Sequence, residues 1–351
     1  NTSIGQWSNL TDFPVYDLKP ERTNSFEVGM NMRFLKNFEL DVTYYNAKTM
    51  NQTFNPELPV GEYARIYIQT GAVRNQGLEL ALNYNNTWKD FTWNTGVTYS
   101  MNKNKILTLA DNAINPITRE KFSISSLNMG GLGSTRFILK EGGSMGDIYS
   151  LMDLKRDANG AVYIDENNSV VTESLEANNY IKLGSVLPKG NLAWRNNFSW
   201  KNINVAFLVS ARLGGVVFSR TQAVLDNFGV SEASAAARDK GYVSVNGNDR
   251  VNPEGWYSVV AGGTAVPQYY IYSATNIRLQ EASIGYTIPR KWLGNVCDIK
   301  VSLIGRNLWM IYNKAPFDPE SVASTDNFYQ GIDYFMMPSL RNIGFNLSFK
   351  F

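Results

Sequence analysis

Apolar residues occupy every second position in the last eleven residues, Arg341 to Phe351, where Ile343, Phe345, Leu347, Phe349 and Phe351 alternate with polar or small neighbours. Alternation this strict describes a strand with one apolar and one polar face. Three aromatics among the five outward positions describe a face that meets lipid. The same period recurs about ten times, in segments close to the roughly 9 to 11 residues that a tilted membrane-crossing strand requires. Ser25 to Phe34 turns Phe26, Val28, Met30, Met32 and Phe34 to one side, and Leu35, Lys36 and Asn37 form a tight turn into Phe38 to Lys48. Gly77 to Tyr84 and the segment from Phe91 to Met101 make a second hairpin across NNTWKD. A weaker strand is expected between Arg136 and Leu151. Asn191 to Trp200 pairs with Ile203 to Leu213 across Lys201 and Asn202, and Asn276 to Tyr286 and Ile299 to Ile311 precede the final strand.

The connections are unequal. Short turns follow the first, third and sixth strands, whereas long polar segments at Asn51 to Val73, Thr108 to Arg136, Arg156 to Lys189 and Ser219 to Tyr269 separate the hairpins. Outer-membrane barrels have short periplasmic turns and long external loops. Asn51 to Val73, Ser219 to Tyr269 and Pro316 to Met337 are therefore expected outside the cell, where long loops carry function. Within Ser219 to Tyr269, SEASAAARDK from Ser231 to Lys240 reads as the one helix, with good helix formers and a serine near its start.

Composition fits this fold class. Apolar residues make up 44% of the chain and aromatics 13%, yet no run of 18 apolar residues exists to form a spanning helix. The net charge of +2 points to neither a nucleic-acid groove nor an electrostatic membrane tether. With one cysteine, Cys297, and no histidine, the chain can form no internal disulfide and offers no imidazole as ligand or base. The first 23 residues show no targeting signal, so the chain reads as the later part of something longer.

Several blocks, in order, resemble one family. They are LKPERTNSFEVGMNMRF from Leu18, VTYYNAKT from Val42, GAVRNQGLELALNY from Gly71, PKGNLAWRNNFSW from Pro188, SATNIRLQEASIGYTIP from Ser273, GRNLWMIYNKAPFDPE from Gly305 and the closing strand. Together they are similar to the SusC/RagA-type TonB-dependent transporters of the Bacteroidetes outer membrane. The resemblance implies an all-β, transmembrane antiparallel barrel, of which this chain would supply about ten C-terminal strands, in a plugged barrel of about 22 strands. It also implies active import of an oligosaccharide or peptide under a SusD-type lipoprotein lid, with energy delivered by TonB. The plug, the N-terminal strands and the TonB-contacting segment would belong to the rest of the same transporter. The resemblance further implies that the terminal aromatic strand, Ile343 to Phe351, is read during membrane assembly.

Candidate chemistry is sparse. The glycines of EGGSMGD, Gly142, Gly143 and Gly146, lack the Lys-Ser/Thr of a phosphate loop and read as a turn. The sequons at Asn9, Asn85, Asn197 and Asn346 read as incidental. Asp318 and Glu320 in APFDPES, with Asp326, form a weak oxygen-ligand set for calcium, set against a plain proline-stiffened loop. No other cofactor is expected. Trp256, Tyr257, Phe328 and Tyr329 are the candidates for contact with ligand or lid, because loop aromatics give large contact area for few frozen torsions. Tyr269 and Tyr270 read equally as interfacial girdle residues. A Ser-His nucleophile is excluded by the absence of histidine, so an outer-membrane enzyme is disfavoured. A passive porin is the remaining alternative to active import.

Overall fold

The computed structural model describes residues 12–13, 19–54, 65–66, 68–114, 119–263, 265–294, 296–324 and 329–351. Nine antiparallel strands form one sheet: β1 (Arg22–Phe34), β2 (Phe38–Phe54), β3 (Ile68–Trp88), β4 (Phe91–Thr108), β5 (Gly190–Trp200), β6 (Ile203–Leu213), β7 (Asn276–Ile288), β8 (Asp298–Asn313) and β9 (Asn342–Lys350). Each pairs with its neighbour in sequence, as in a meander, and β1 and β9 are the outer strands. Tight turns at 35–37, 89–90 and 201–202 and a ten-residue-scale link at 289–297 lie at one end of the sheet. In the three-residue turn 35–37, Leu35 and Lys36 are both left-handed (φ 49° and 64°), a conformation that non-glycine residues seldom adopt.

Pairing puts the apolar positions of all nine strands on one face. One row runs Met32, Leu40, Leu82, Val97, Trp194, Val209, Leu279 and Trp309, strand by strand. Phe345 lies in another row with Leu303, Ile284, Val205 and Phe198, and Leu347 and Phe349 oppose Val301 and Ile299. Phe351 lies one residue past β9. Near the turn end this face carries a ladder of rings. Phe34 stacks on Phe38 (5.3 Å), Phe38 meets Tyr84 (4.7 Å), Tyr84 meets Trp93 (5.3 Å), Trp93 stacks on Phe198 (6.1 Å) and Phe198 meets Phe207 (6.2 Å). The opposite face is polar. There Tyr45 lies across Gly77, and its hydroxyl donates to Asn102 Oδ1 (3.3 Å).

A Cβ on Gly77 would come within 2.4 Å of the Tyr45 hydroxyl and 2.2 Å of the Met101 carbonyl oxygen. Gly77→Ala is therefore expected to cost about 1–3 kcal/mol, as overpacking does. The temperature at which the folded barrel converts to the unfolded form on an electrophoretic gel should fall, and an unchanged temperature would refute the close approach.

The structure differs from the sequence reading in three places. The weaker strand expected between Arg136 and Leu151 is not in the wall. Instead Thr135–Lys140 and Asp147–Ser150 belong to a separate four-stranded sheet with Ser126–Leu132 and Ile181–Ser185. The segment from Asn51 to Val73 is less loop than expected, because β2 runs to Phe54 and β3 begins at Ile68. Two helices join the expected one: α1 (Arg220–Asn227), α2 (Glu232–Lys240) and α3 (Pro253–Val260). α2 has a reciprocal cap between Ser231 and Ser234 and ends on left-handed Gly241, the start and stop signals of a stable short helix.

The long connections 109–189, 214–275 and 314–341 all leave from the end opposite the tight turns, and their described residues pack into one layer. Phe137, Ile148, Leu154, Phe218, Val260 and Ile332 are fully buried in its core. The three-stranded sheet Ile271–Ser273, Val216–Ser219 and Ile332–Asp333 draws on two of the connections. A second cluster, Val73, Ile106, Leu109, Leu127 and Leu139, fastens the layer to the projecting ends of β3 and β4.

Candidate functional site

The polar face of the sheet lines a cavity of about 550 Å³ beneath the layer. Strand alternation places Thr43, Glu79, Ser100, Asn191 and Arg212 side by side on β2 to β6. Asp41 on β2 and Ser210 on β6 line the cavity in the adjacent row, and Glu320 enters from the connection 314–341. Arg212 donates to the Val186 carbonyl (2.7 Å) and Asp41 accepts from Asn31 Nδ2 (2.6 Å). Apart from Glu320, none of these positions was singled out in sequence. The usable signal was an ionisable residue on the polar side of a membrane strand, which marks a pathway or a partner.

Beside the cavity sits a buried ion-pair network centred on Arg278 of β7, whose side chain is only 3% exposed. Its Nη2 donates to Asp318 Oδ1 (2.9 Å) and lies 3.2 Å from Glu320 Oε2. Its Nε donates to Asn276 Oδ1 (3.2 Å) and its Nη1 to Asn307 Oδ1 (3.4 Å). Asn276 Nδ2 donates to Glu320 Oε1 (3.2 Å), and the Ser339 hydroxyl donates to Asp318 Oδ2. Burial pushes the Asp318 pKa up, but the hydrogen bonds from Ser339, Arg278 and the Glu320 amide, with the Arg278 charge, outweigh it and hold the carboxyl below its usual range. The network sits where pairing between β7 and β8 slips twice, at Ile277/Arg278 and Leu279/Glu281. Such bulges re-aim side chains, and here they aim a guanidinium at the connection 314–341.

Two members of the weak calcium set take part in this network. Asp318 and Glu320 spend their oxygens on Arg278, Asn276 and Ser339, and a cation there would have to displace a guanidinium. Asp326 and Phe328 lie outside the described residues. Trp256 and Tyr257 fall on α3. Trp256 packs against the layer core, edge-on to Tyr269 at 5.2 Å. Tyr257 lines a second cavity of about 500 Å³ with Asp226, Phe228, Arg238 and Glu254. Burial raises its phenol pKa, and the Asp226 charge raises it further. Tyr329 is left-handed (φ 67°) and its ring lies 6.3 Å from that of Phe137. Among the described residues no ring contact joins it to Trp256 or Tyr257. The girdle reading is corrected for Tyr270, which is buried in the layer with its hydroxyl donating to Asp226 Oδ2 (3.0 Å). Tyr269 is 42% exposed beside Trp256, and the ring ladder from Phe34 to Phe207 forms a belt at the opposite end of the sheet.

A sheet with one continuous apolar face, a belt of aromatics at its turn end and a charged inner face under a folded outer layer is the wall of an outer-membrane β-barrel. Residues 3–206 match the family described as TonB dependent receptor-like, beta-barrel. Two proteins of Formosa agariphila, TonB-dependent receptor P3 and TonB-dependent receptor P26, are 26% and 27% identical over 97% and 94% of this chain. The chain spans about a third of the length of these curated relatives, 35% and 34%. Among solved structures, the RagAB peptide importer in its open-open state superposes with a TM-score of 0.69 at 17% identity, over 95% of this chain and 35% of that one. Its closed-closed state gives 0.67 at 16% identity, over 94% of this chain and 35% of that one. The chain belongs to the TonB-dependent receptor family and forms part of its barrel, as the ordered sequence blocks implied. It is an outer-membrane protein whose apolar face meets lipid and whose charged face meets the lumen.

Proposed function

We propose that the complete protein imports an oligosaccharide or peptide across the outer membrane, driven by TonB, and that this chain supplies the lumen wall and the outer layer above it. The observation that carries the reading is the charged inner face, which a purely structural wall does not need and a solute path does. The two outer strands, β1 and β9, have no partner among the described residues. Each unpaired backbone group in hydrocarbon costs several kcal/mol, which supports further strands of the same transporter, and a plug within them, completing the barrel. The outer layer offers a surface for a SusD-type lipoprotein lid. The RagAB structures carry the name of a peptide importer, which supports transport of a solute of that size. TonB would act through the rest of the protein, and the wall itself has no catalytic duty in this reading.

The test is uptake of a labelled tripeptide and a labelled oligosaccharide by cells carrying the complete transporter. Uptake of one of them should stop when TonB is deleted or the proton gradient is collapsed. Uptake that persists would convert the reading to a passive porin. A second expectation concerns the last residue. Removing Phe351 should lower the amount of barrel in the outer membrane more than it lowers uptake per folded molecule, because an aromatic end strand is needed to close the wall. Normal membrane levels in the deletion would count against that role.

A further inference from the structure

We infer that the lipid-facing side of β2 to β4, at the end opposite the tight turns, binds the phosphate of an outer-leaflet lipid through Lys48, Arg74 and Lys105. The inference rests on the place of the wall in the outer membrane and not on import. Charge in β1 to β4 is sorted by face. Every carboxylate of these strands, Glu27, Glu39, Asp41 and Glu79, has the parity of the lumen side. Among their cations only Arg33, paired with Glu39 beside the first turn, shares that side. Arg22, Lys48, Arg74, Lys103 and Lys105 all have the parity of the apolar face. The near-neutral sum over the whole chain hides this sorting. Three of the cations meet in one row, because the register sets Lys48 opposite Arg74 and Arg74 opposite Lys105. Like charges directly opposite one another repel, and among the described residues none of the three forms an ion pair. Arg74 Nε is buried without a hydrogen-bond partner there. Described strands flank β2 and β3 on both sides, and a plug would stand on the other face, so the counter-ion comes from outside the wall.

Height identifies what lies there. Phe38 and Tyr84 belong to the ring ladder near the turns, and Lys48 and Arg74 stand ten residues from them along β2 and β3. Ten residues at about 3.3 Å each, tilted by about 40°, climb about 25 Å, the height of the apolar band of an outer-membrane barrel. The outward positions between are Leu40, Val42 and Tyr44 on β2 and Leu78, Leu80 and Leu82 on β3, giving way to Asn46 and Gln76 just before the cations. The row therefore stands at headgroup level of the outer leaflet, where a basic side chain can lay its stem along lipid and put its charge in the polar layer. Lys48 and Arg74, with Phe26, Asn46 and Leu107, line a cavity of about 480 Å³ on this face. Arg74 offers a phosphate a fork of N–H donors and the lysines offer point charges. Phe26 and Leu107 add apolar surface continuous with the lipid face, which suits a lipid better than an acidic protein.

The experiment takes the purified complete transporter, stripped of lipid in a neutral detergent, and titrates it with lipid A and with lipid A whose phosphates have been removed enzymatically. The wild type should prefer the phosphorylated lipid by about tenfold or more, at roughly fivefold per cation engaged. Lys48→Gln/Arg74→Gln/Lys105→Gln should bind both lipids alike. Lys48→Gln alone, at an exposed position, should lose about fivefold of the preference. Lys48→Arg/Arg74→Lys/Lys105→Arg keeps the charges and should keep most of the preference, which separates lost charge from lost fold. Lys89→Gln, in a turn at the other end of the sheet, should change nothing. Equal binding of both lipids by the wild type, or a preference that survives the three glutamines, would overturn the site. Displacement of lipid A by inorganic phosphate at comparable concentration would show a free-anion site and overturn the lipid assignment. Loss of a co-purifying surface lipoprotein in the glutamine variants, with the lipid preference intact, would give the patch to a protein partner and overturn the proposal too.

Discussion

Arg278→Met should release the connection 314–341 from the wall at a cost of about 3–5 kcal/mol, the usual result of removing one partner from a buried ion pair. Asp318, with its side chain 10% exposed, would keep its charge and lose its main cation, whereas Glu320, at 40%, would regain water. The readout is limited proteolysis of the complete transporter from the outside. The variant should be cut within 314–341 at protease levels that leave the wild type intact, with the heat resistance of the barrel falling less. Equal protection would show that the connection is held elsewhere. Acid should mimic the substitution. Because the folded pKa of Asp318 is depressed, its contribution is fully present above the ordinary carboxylate value near 3.9. It is lost as pH falls through the lower folded value. Protection of 314–341 should therefore fade only below about pH 4, and Asp318→Asn should remove most of that dependence.

The second large effect is expected at Phe345. It stands on the apolar face opposite Leu303, with its side chain 77% exposed to the surroundings of the wall. Phe345→Arg should cost about 2–4 kcal/mol if that row lies near the bilayer midplane, and less toward an interface. The fraction of barrel assembled in the outer membrane measures it. Ser348→Arg, on the other face, serves as the control and should assemble far better. Equal assembly of the two variants would reverse the assignment of faces.

The wall was legible because lipid imposes a period of two, and the register confirms the hairpins read at Phe34/Phe38 and Trp200/Ile203, while the turn read as NNTWKD shrinks to Lys89 and Asp90 with Trp88 opposite Phe91. The upper ends of β2 and β3 were missed. Residues such as Asn51, Gln52, Arg74 and Gln76 stand clear of the apolar zone, where a strand needs no apolar side. The outer layer was almost invisible, since its sheets use strands of two to seven residues gathered from distant segments. Short strands of that kind carry too few positions for a period to show. The helix α2 announced itself through its cap and alanines, whereas α3 hid its start at Asn252-Pro253 among loop residues. Arg278 was overlooked for a different reason. Two bulges shift the parity of β7, so counting alternate positions from Asn276 to Tyr286 cannot say which way it points.

The parallel pairing of Phe218 and Ser219 with Ile332 and Asp333 bears on how the molecule comes into being. Every wall strand can zip onto the one before it, but the layer needs a segment that stands only nine residues ahead of the final strand. The outer layer thus depends on joining segments far apart in the chain, whereas each wall hairpin joins neighbours. A lesion at Ile332 would spare the insertion of the barrel and leave behind a pore with an unfinished mouth.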